Sequence, residues 1–381
     1  MDKNIECDYE LERISKKISF FLINPNNTKE EKIKFLKTPG YNPQFTYNDS
    51  PHNLSKIRFE LERISPENNI IGDILRGIRD KYLLDIELIE KRGGTELTDV
   101  SIRLHGQPSD ELIKKAEELV KLDYEPEKIK YETKQIIKKL RIAFLKYGFH
   151  WSVEENEMVA SAAVGLKQKK LLIKKDSRFS ENFLKRIIVH EIGTHIMRAE
   201  NGKNQPYRFF ARGMPGYLKT EEGLAVYNEE LHNCLNNKLL KIYAGRVLAI
   251  KKALNYSFYD CYTYLREYFA IDTAWRLTLR AKRGLSDTKN KGAFTKDIAY
   301  LEGYMAVKKF IEEGGNINNL YYGKIGIEHI PILSKIPSLI NPKMLPMMRY
   351  LNYFKGHFEG LMDSFVFLDS LELDKSFLKL D

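Results

Sequence analysis

The sequence predicts a mostly helical α+β protein in which a small sheet immediately precedes one chemically unusual helix. Three observations carry this expectation. Apolar residues recur at spacings of three and four over most of the 381 residues. Residues 149–175 (FHWSVEENEMVASAAVGLKQKKLLIKK) break that rhythm and read as two strands, MVASAAV and LLIKK, with a turn containing Gly165. Helical spacing returns at Ser180–Arg198, where the stripe of Leu184, Ile187 and Ile188 runs directly into Glu191 and His195.

The elements follow in order. Residues 8–22 and 54–64 carry apolar residues at helical spacing, and Pro39–Pro51 (PGYNPQFTYNDSP) is an aromatic-bearing connector with turn chemistry. After Pro108 a helix is signalled by Ser109 as cap, by acids in its first turn, and by Leu112, Ala116 and Leu119 on one face. Residues 127–147 read as another amphipathic helix ending at Gly148. Beyond the Ser180–Arg198 helix, helical pattern dominates, with breaks near 201–219, 284–292, 313–323 and 331–347. The organisation expected is an N-terminal helical region over residues 1–130, packed on a catalytic part over residues 131–381.

Composition narrows the function classes. With 43% hydrophobic and 30% charged residues the chain has the profile of a globular protein, not a disordered one. No stretch approaches the roughly 20 apolar residues of a membrane span, and MDKNIECDYELERISKK lacks a signal-peptide layout, so no membrane partner and a cytoplasmic location are expected. Cys7, Cys234 and Cys261 are too few and too scattered for a disulfide framework or a cysteine-based metal site. Any metal must therefore use histidines and carboxylates. The net charge of +10 is spread among interleaved acids, so it reads as solvated faces, and a nucleic-acid partner is disfavoured.

The informative segment is FLKRIIVHEIGTHIMR, residues 183–198. A core-facing helix that offers Glu191 and His195 needs a partner for them, because buried charge and unpaired imidazole are costly. A metal ion supplies one. The spacing imposes a condition, however. His190 and His195 are five apart, not the four of the HExxH metallopeptidase helix, which leaves them about 140° apart on a regular α-helix. Only a widened, π-type turn brings both to one ion, and Gly193 between them would ease that distortion. The alternative is a hydrogen-bonded pair of packed histidines. A third ligand is sought in TEEGLAVYNEE, residues 220–230, one helix downstream. There Thr220 reads as a helix cap, and Glu221 and Glu222 as ordinary first-turn acids or as ligand candidates. Two histidines and one carboxylate would leave a fourth position open for water, the arrangement of catalytic zinc.

These residues carry a resemblance. HEIGTH, EEGLA, RAKRGLSDT (280–288) and FTKDIAYLEG (294–303) together resemble the family of bacterial QEGLA-motif proteins, with NPQFTY (42–47) compatible. That family includes the animal microtubule-associated tyrosine carboxypeptidases, which remove the C-terminal tyrosine of α-tubulin. The resemblance implies a zincin-like fold, zinc ligands His190, His195 and Glu222, and Glu191 as general base. This chain has Glu221 where glutamine is usual. Tyr300, inside a family motif, is the candidate oxyanion donor, or else a core aromatic. Arg280, Lys282 and Arg283 form the densest basic cluster of the catalytic half. Arg280 and Lys282 are expected to meet a substrate carboxylate and Arg283 to be structural. MVASAAVG either accepts an extended peptide at a sheet edge or only completes the sheet.

The expected function is thus a zinc metallopeptidase, a carboxypeptidase releasing a C-terminal, tyrosine-like residue from a peptide or protein. The alternatives are a zinc endopeptidase or amidase on the same site, and a non-catalytic binding protein stabilised by zinc.

Overall fold

The computed structural model describes residues 2–158, 161–165 and 169–345. Its N-terminal part is helical. The first helix, Lys3–Ser15, begins where Asp2 accepts a hydrogen bond from the Asn4 amide at 2.8 Å, so it starts five residues before the expected position and ends well before residue 22. Helices Thr28–Lys37, Leu54–Glu62, Ile70–Glu90, Leu97–His105 and Asp110–Leu119 follow. The 21-residue Ile70–Glu90 helix has no counterpart among the sequence expectations. Ser109 caps the last of these helices as expected, accepting from the Leu112 amide at 3.2 Å.

Five short strands come next: β1 (Ile129–Glu132), β2 (Ser152–Asn156), β3 (Ala162–Gly165), β4 (Lys170–Lys174) and β5 (Arg178–Ser180). Residues 127–147 are therefore not one helix. Ile129–Glu132 pairs antiparallel with β5, placing Tyr131 opposite Phe179, and Glu132 with Gln135 forms the capping box that starts the helix at Thr133. The other three strands form a sheet ordered β2-β4-β3, with β2 parallel and β3 antiparallel to β4. Leu171 stands between Val153 and Val164 at its centre. Ala162–Gly165 is an edge strand, while Val159 and Ala160 of the expected MVASAAV strand lie outside the described residues.

The chain then enters one continuous helical stretch, Glu181–Lys203, started by Ser180 accepting from the Phe183 amide at 3.0 Å. Its inner face meets the sheet: Leu184, Ile187, Ile192 and Ile196 share a core with Val153, Leu171, Ile173 and Leu224. Helices Tyr217–Leu231, Asn237–Ala253, Phe258–Arg266, Ile271–Lys282 and Ala299–Glu312 follow in the C-terminal half. Cores run across residue 130: Leu112 and Ala116 pack with Val247 and Leu277, and Leu11, Ile74 and Ile78 pack with Phe209, Phe210 and Met214. Residues 1–344 make one structural unit. The three cysteines are free and buried, and no helix among the described residues is long and apolar enough to cross a membrane.

Candidate metal centre

The helix carrying the HEIGTH motif is α-helical over Glu181–Ile187, π-helical over Ile188–Ile196 and α-helical again over Met197–Lys203. The widened turn required by the five-residue spacing is present. The Met197 amide reaches back to the carbonyl of Ile192, five residues away, and the Thr194 hydroxyl donates to the carbonyl of Val189 at 3.1 Å. The Gly193 carbonyl accepts instead from the Tyr321 hydroxyl at 3.0 Å, and Asn228 donates to both Thr194 Oγ1 and Tyr321 Oη at 2.8 Å. Buried side chains thus satisfy the groups that the π turn disturbs. Gly193 itself is less critical than expected, since an added Cβ would stand 3.5 Å from the Ile188 carbonyl oxygen, an ordinary contact.

The result is that both imidazoles face one point, with ring centroids 4.9 Å apart. Glu222 closes the set. Its Oε2 lies 3.9 Å from His190 Nε2 and 3.8 Å from His195 Nε2, and one ligand atom from each of the three residues falls within 4.8 Å of the others. Glu222 arrives there from inside its helix. The helix begins at Tyr217, after Gly216 at φ 78°, and Thr220 is not its cap: the Thr220 hydroxyl accepts from the Ile327 amide at 3.0 Å. Glu221 and Glu222 therefore sit beyond the first turn, and the reading as helix-start acids falls away.

Two carboxylates that the sequence did not mark as orienters fix the imidazoles. His190 Nδ1 bonds Glu229 Oε1 at 2.8 Å, and His195 Nδ1 bonds Glu221 Oε1 at 2.9 Å. Glu221 is buried, which alone would raise its pKa, but Lys324, Arg198 and His195 outweigh burial and hold it far below the ordinary carboxylate range. Glu229 is likewise lowered against its burial, by His190 and Arg186, with the Tyr243 hydroxyl donating at 3.1 Å. Carboxylate acceptors at both Nδ1 positions favour an Nδ1–H on each ring, and both Nε2 atoms are turned toward Glu222. The available sequence signal was spacing: Glu229 lies seven residues, two turns, after Glu222 and so on the same helix face.

This donor set fits a metal ion. Bonds of about 2.0–2.2 Å to a tetrahedral ion set ligand atoms roughly 3.4 Å apart, slightly inside the separations found. Glu222 Oε2 is buried with no hydrogen-bond partner among the described residues, a costly state that a cation between it and the two imidazoles would remove. Glu191, next to His190, is only half-buried, and its carboxylate makes no hydrogen bond among the described residues.

The remaining candidates divide. Tyr300 packs against Arg246, and its hydroxyl lies within the electrostatic reach of Glu222, its pKa raised chiefly by burial and next by Glu222. Its ring stacks on Tyr243 at 5.6 Å. Arg280 also lies within the field of Glu222 and Tyr300, held by Asp297, which accepts from its Nε and, at 2.9 Å, from its Nη2. Lys282 is not brought there. Its buried ammonium donates to the carbonyls of Ala253 (3.2 Å), Tyr256 (2.5 Å) and Asn290 (2.7 Å), so it braces the chain around 253–290. Arg283 is structural as expected, donating to Asn24 Oδ1 at 3.2 Å and Asp297 Oδ1 at 3.4 Å.

Two histidines on a widened helix and a carboxylate from the Tyr217–Leu231 helix, with further carboxylates on the imidazoles and Glu191 alongside, form a group that could hold a metal ion. Comparison with known proteins agrees on the lineage. The family model described as microtubule-associated tyrosine carboxypeptidase matches residues 34–370, and the chain belongs to that family. Microtubule-associated tyrosine carboxypeptidase 1 of Mus musculus is 25% identical over 348 residues, covering 89% of this chain and 67% of the relative. The Homo sapiens protein of that name is 29% identical over 187 residues, covering 47% and 39%. "Putative tyrosine carboxypeptidase MATCAP2" of Mus musculus is 28% identical over 190 residues, covering 48% of this chain but only 36% of the relative. The matches thus span from about a third to two thirds of the relatives' own length.

Proposed function

We propose that the chain is a zinc-dependent carboxypeptidase with a zincin-like catalytic part, releasing a C-terminal, tyrosine-like residue from a peptide or protein. The carrying observation is the convergence of His190, His195 and Glu222 with Glu222 Oε2 buried and unpartnered. Two nitrogens and one oxygen, without sulfur, suit zinc with an open position. Zinc bound there would lower the pKa of water toward neutrality and polarise the scissile carbonyl.

The residues of the chain divide the remaining work. Glu191, unbonded and half-buried, takes a proton from the attacking water and returns it to the leaving amine. Tyr300 donates its hydroxyl proton as a hydrogen bond to the developing oxyanion; its raised pKa keeps the phenol protonated at neutral pH. The positive field around Arg280 draws the free carboxylate end of a peptide to the site, which favours an exopeptidase over an endopeptidase or amidase.

The test has two arms. Metal analysis should find about one zinc per chain in the parent and less in His190→Ala, His195→Ala and Glu222→Ala; equal zinc in all four proteins rejects the site. Peptides ending in a free tyrosine should be cleaved and their C-terminal amides should not; equal cleavage promotes the endopeptidase reading.

A further inference from the structure

Resting on the carboxypeptidase reading, we propose that Arg246 is the residue that binds the free α-carboxylate of the substrate, the role expected from sequence for Arg280 and Lys282. Arg246 lies on the Asn237–Ala253 helix and lays its guanidinium over Tyr300, with Cζ 3.9 Å from the ring centroid. It is one helical turn from Tyr243, the residue that braces Glu229 against His190. The same guanidinium thus stands beside the proposed oxyanion donor and beside the support of a proposed zinc ligand.

Its nitrogens make no hydrogen bond among the described residues, although two of them, Nε and Nη1, are buried. Three other cations of this region are committed elsewhere. Arg280 donates through Nε and Nη2 to Asp297, Arg283 reaches Asp297 and Asn24, and Lys282 is held by three carbonyls. Asp297 is a single carboxylate acted on by Arg280, Arg283 and Arg246 together. One negative charge cannot balance three guanidinium groups. Lys296, which also makes no hydrogen bond among the described residues, adds a fourth cation in the field of Glu222 and Asp297.

Two buried guanidinium nitrogens without a hydrogen bond are an unfavourable arrangement that an arriving anion would relieve. Its planar face rests on Tyr300, so its edge is pre-oriented for a planar anion. The anion of matching shape that every carboxypeptidase substrate brings close to the scissile bond is its own terminal carboxylate. Binding it at Arg246 also sets Tyr300 against a fixed partner.

The experiment uses the full-length zinc-loaded protein and paired peptides ending in tyrosine or tyrosinamide. Arg246→Gln should raise KM for the free acid about ten- to hundredfold. It should change kcat much less, leave zinc content unchanged and narrow the preference for acid over amide. Arg246→Lys should recover part of that preference. A second readout is equilibrium binding of N-acetyltyrosine against its amide by calorimetry, where the parent should favour the acid and Arg246→Gln should not. If the glutamine variant fails to fold, Arg246→Met keeps the stem that packs on Tyr300 and serves in its place. A folded variant that keeps the parent's KM and its acid preference overturns the assignment while leaving the carboxypeptidase reading intact. A parent that cleaves acid and amide equally removes both.

Discussion

Gly223 and Gly303 touch backbone to backbone: a Cβ on Gly223 would stand 2.1 Å from the Gly303 carbonyl carbon, and one on Gly303 would stand 2.0 Å from the Lys219 carbonyl oxygen. These are the glycines of EEGLA and AYLEG. The helix bearing Glu221 and Glu222 is pressed onto the helix bearing Tyr300 at the only kind of residue that permits such approach.

Gly303→Ala should therefore force these two helices apart. The expected cost is about 1–3 kcal/mol of stability or more, the range for overpacking a filled core. Thermal melting should show a lowered midpoint, and zinc content should fall because Glu222 moves with its helix. A variant with the parent's midpoint and zinc content would contradict the close approach.

Glu229→Ala removes the acceptor from His190 Nδ1, and zinc affinity should drop about 10- to 100-fold, the range for losing such an orienting partner. Glu221→Ala should do the same at His195. Glu221→Gln should lose less, because an amide oxygen still accepts from Nδ1 although Arg198 and Lys324 lose their anion. Competition with a chelator of known affinity measures all three. Equal affinities across the series would reject the orienting role.

Glu191→Gln should retain zinc and fold while losing most hydrolysis, since an amide cannot accept the proton of the attacking water. Loss of 10²-fold or more in turnover is expected. Unchanged turnover in the zinc-loaded variant rejects Glu191 as base, and lost zinc makes it a ligand.

His105 predicts a pH effect on stability. Burial, aided by Lys296 and Lys81, lowers its pKa from 6.5 to about 3, and its Nε2 is buried without a hydrogen-bond partner among the described residues. Between pH 3 and 6.5 the unfolded chain holds the proton and the folded chain does not, so stability falls as pH drops through that window. The slope from this group reaches about 1.4 kcal/mol per pH unit. Denaturant titrations of the parent and His105→Phe at pH 7 and 4.5 should show the variant losing less. Parallel losses would place the acid sensitivity elsewhere.

The site was legible where chemistry is coupled to spacing. A five-residue interval between His190 and His195 admits a shared ion only on a π turn, and the π turn is there. Ser109 announced its helix because a capping hydroxyl must precede its amide partner locally. What stayed hidden depends on contacts distant in the chain. Lys282 looks like a surface cation beside Arg280, and only the return of residues 253, 256 and 290 turns it into a brace. Thr220 looks like a cap until the Ile327 amide claims its hydroxyl. The β1 strand reads as helix because its pairing partner, β5, lies nearly fifty residues away. Arg246 carried no signal at all, as its meaning lies in stacking on Tyr300 and in nitrogens without a hydrogen bond among the described residues.

The π segment also makes the motif an insertion that cannot be undone piecemeal. Removing Gly193 would shorten the interval to the four residues that a regular helix needs to align two histidines. Everything after the cut would then rotate by about 100° and slide back about 1.5 Å relative to the start of the helix. Arg198 would leave the carbonyls of Leu320 and Gly323 and the carboxylate of Glu221, and Asn201 would leave the Tyr321 carbonyl. The longer interval is therefore tied to the whole C-terminal wall of the site. A chain of this kind reaches the shorter motif only by rebuilding residues 320–325 at the same time.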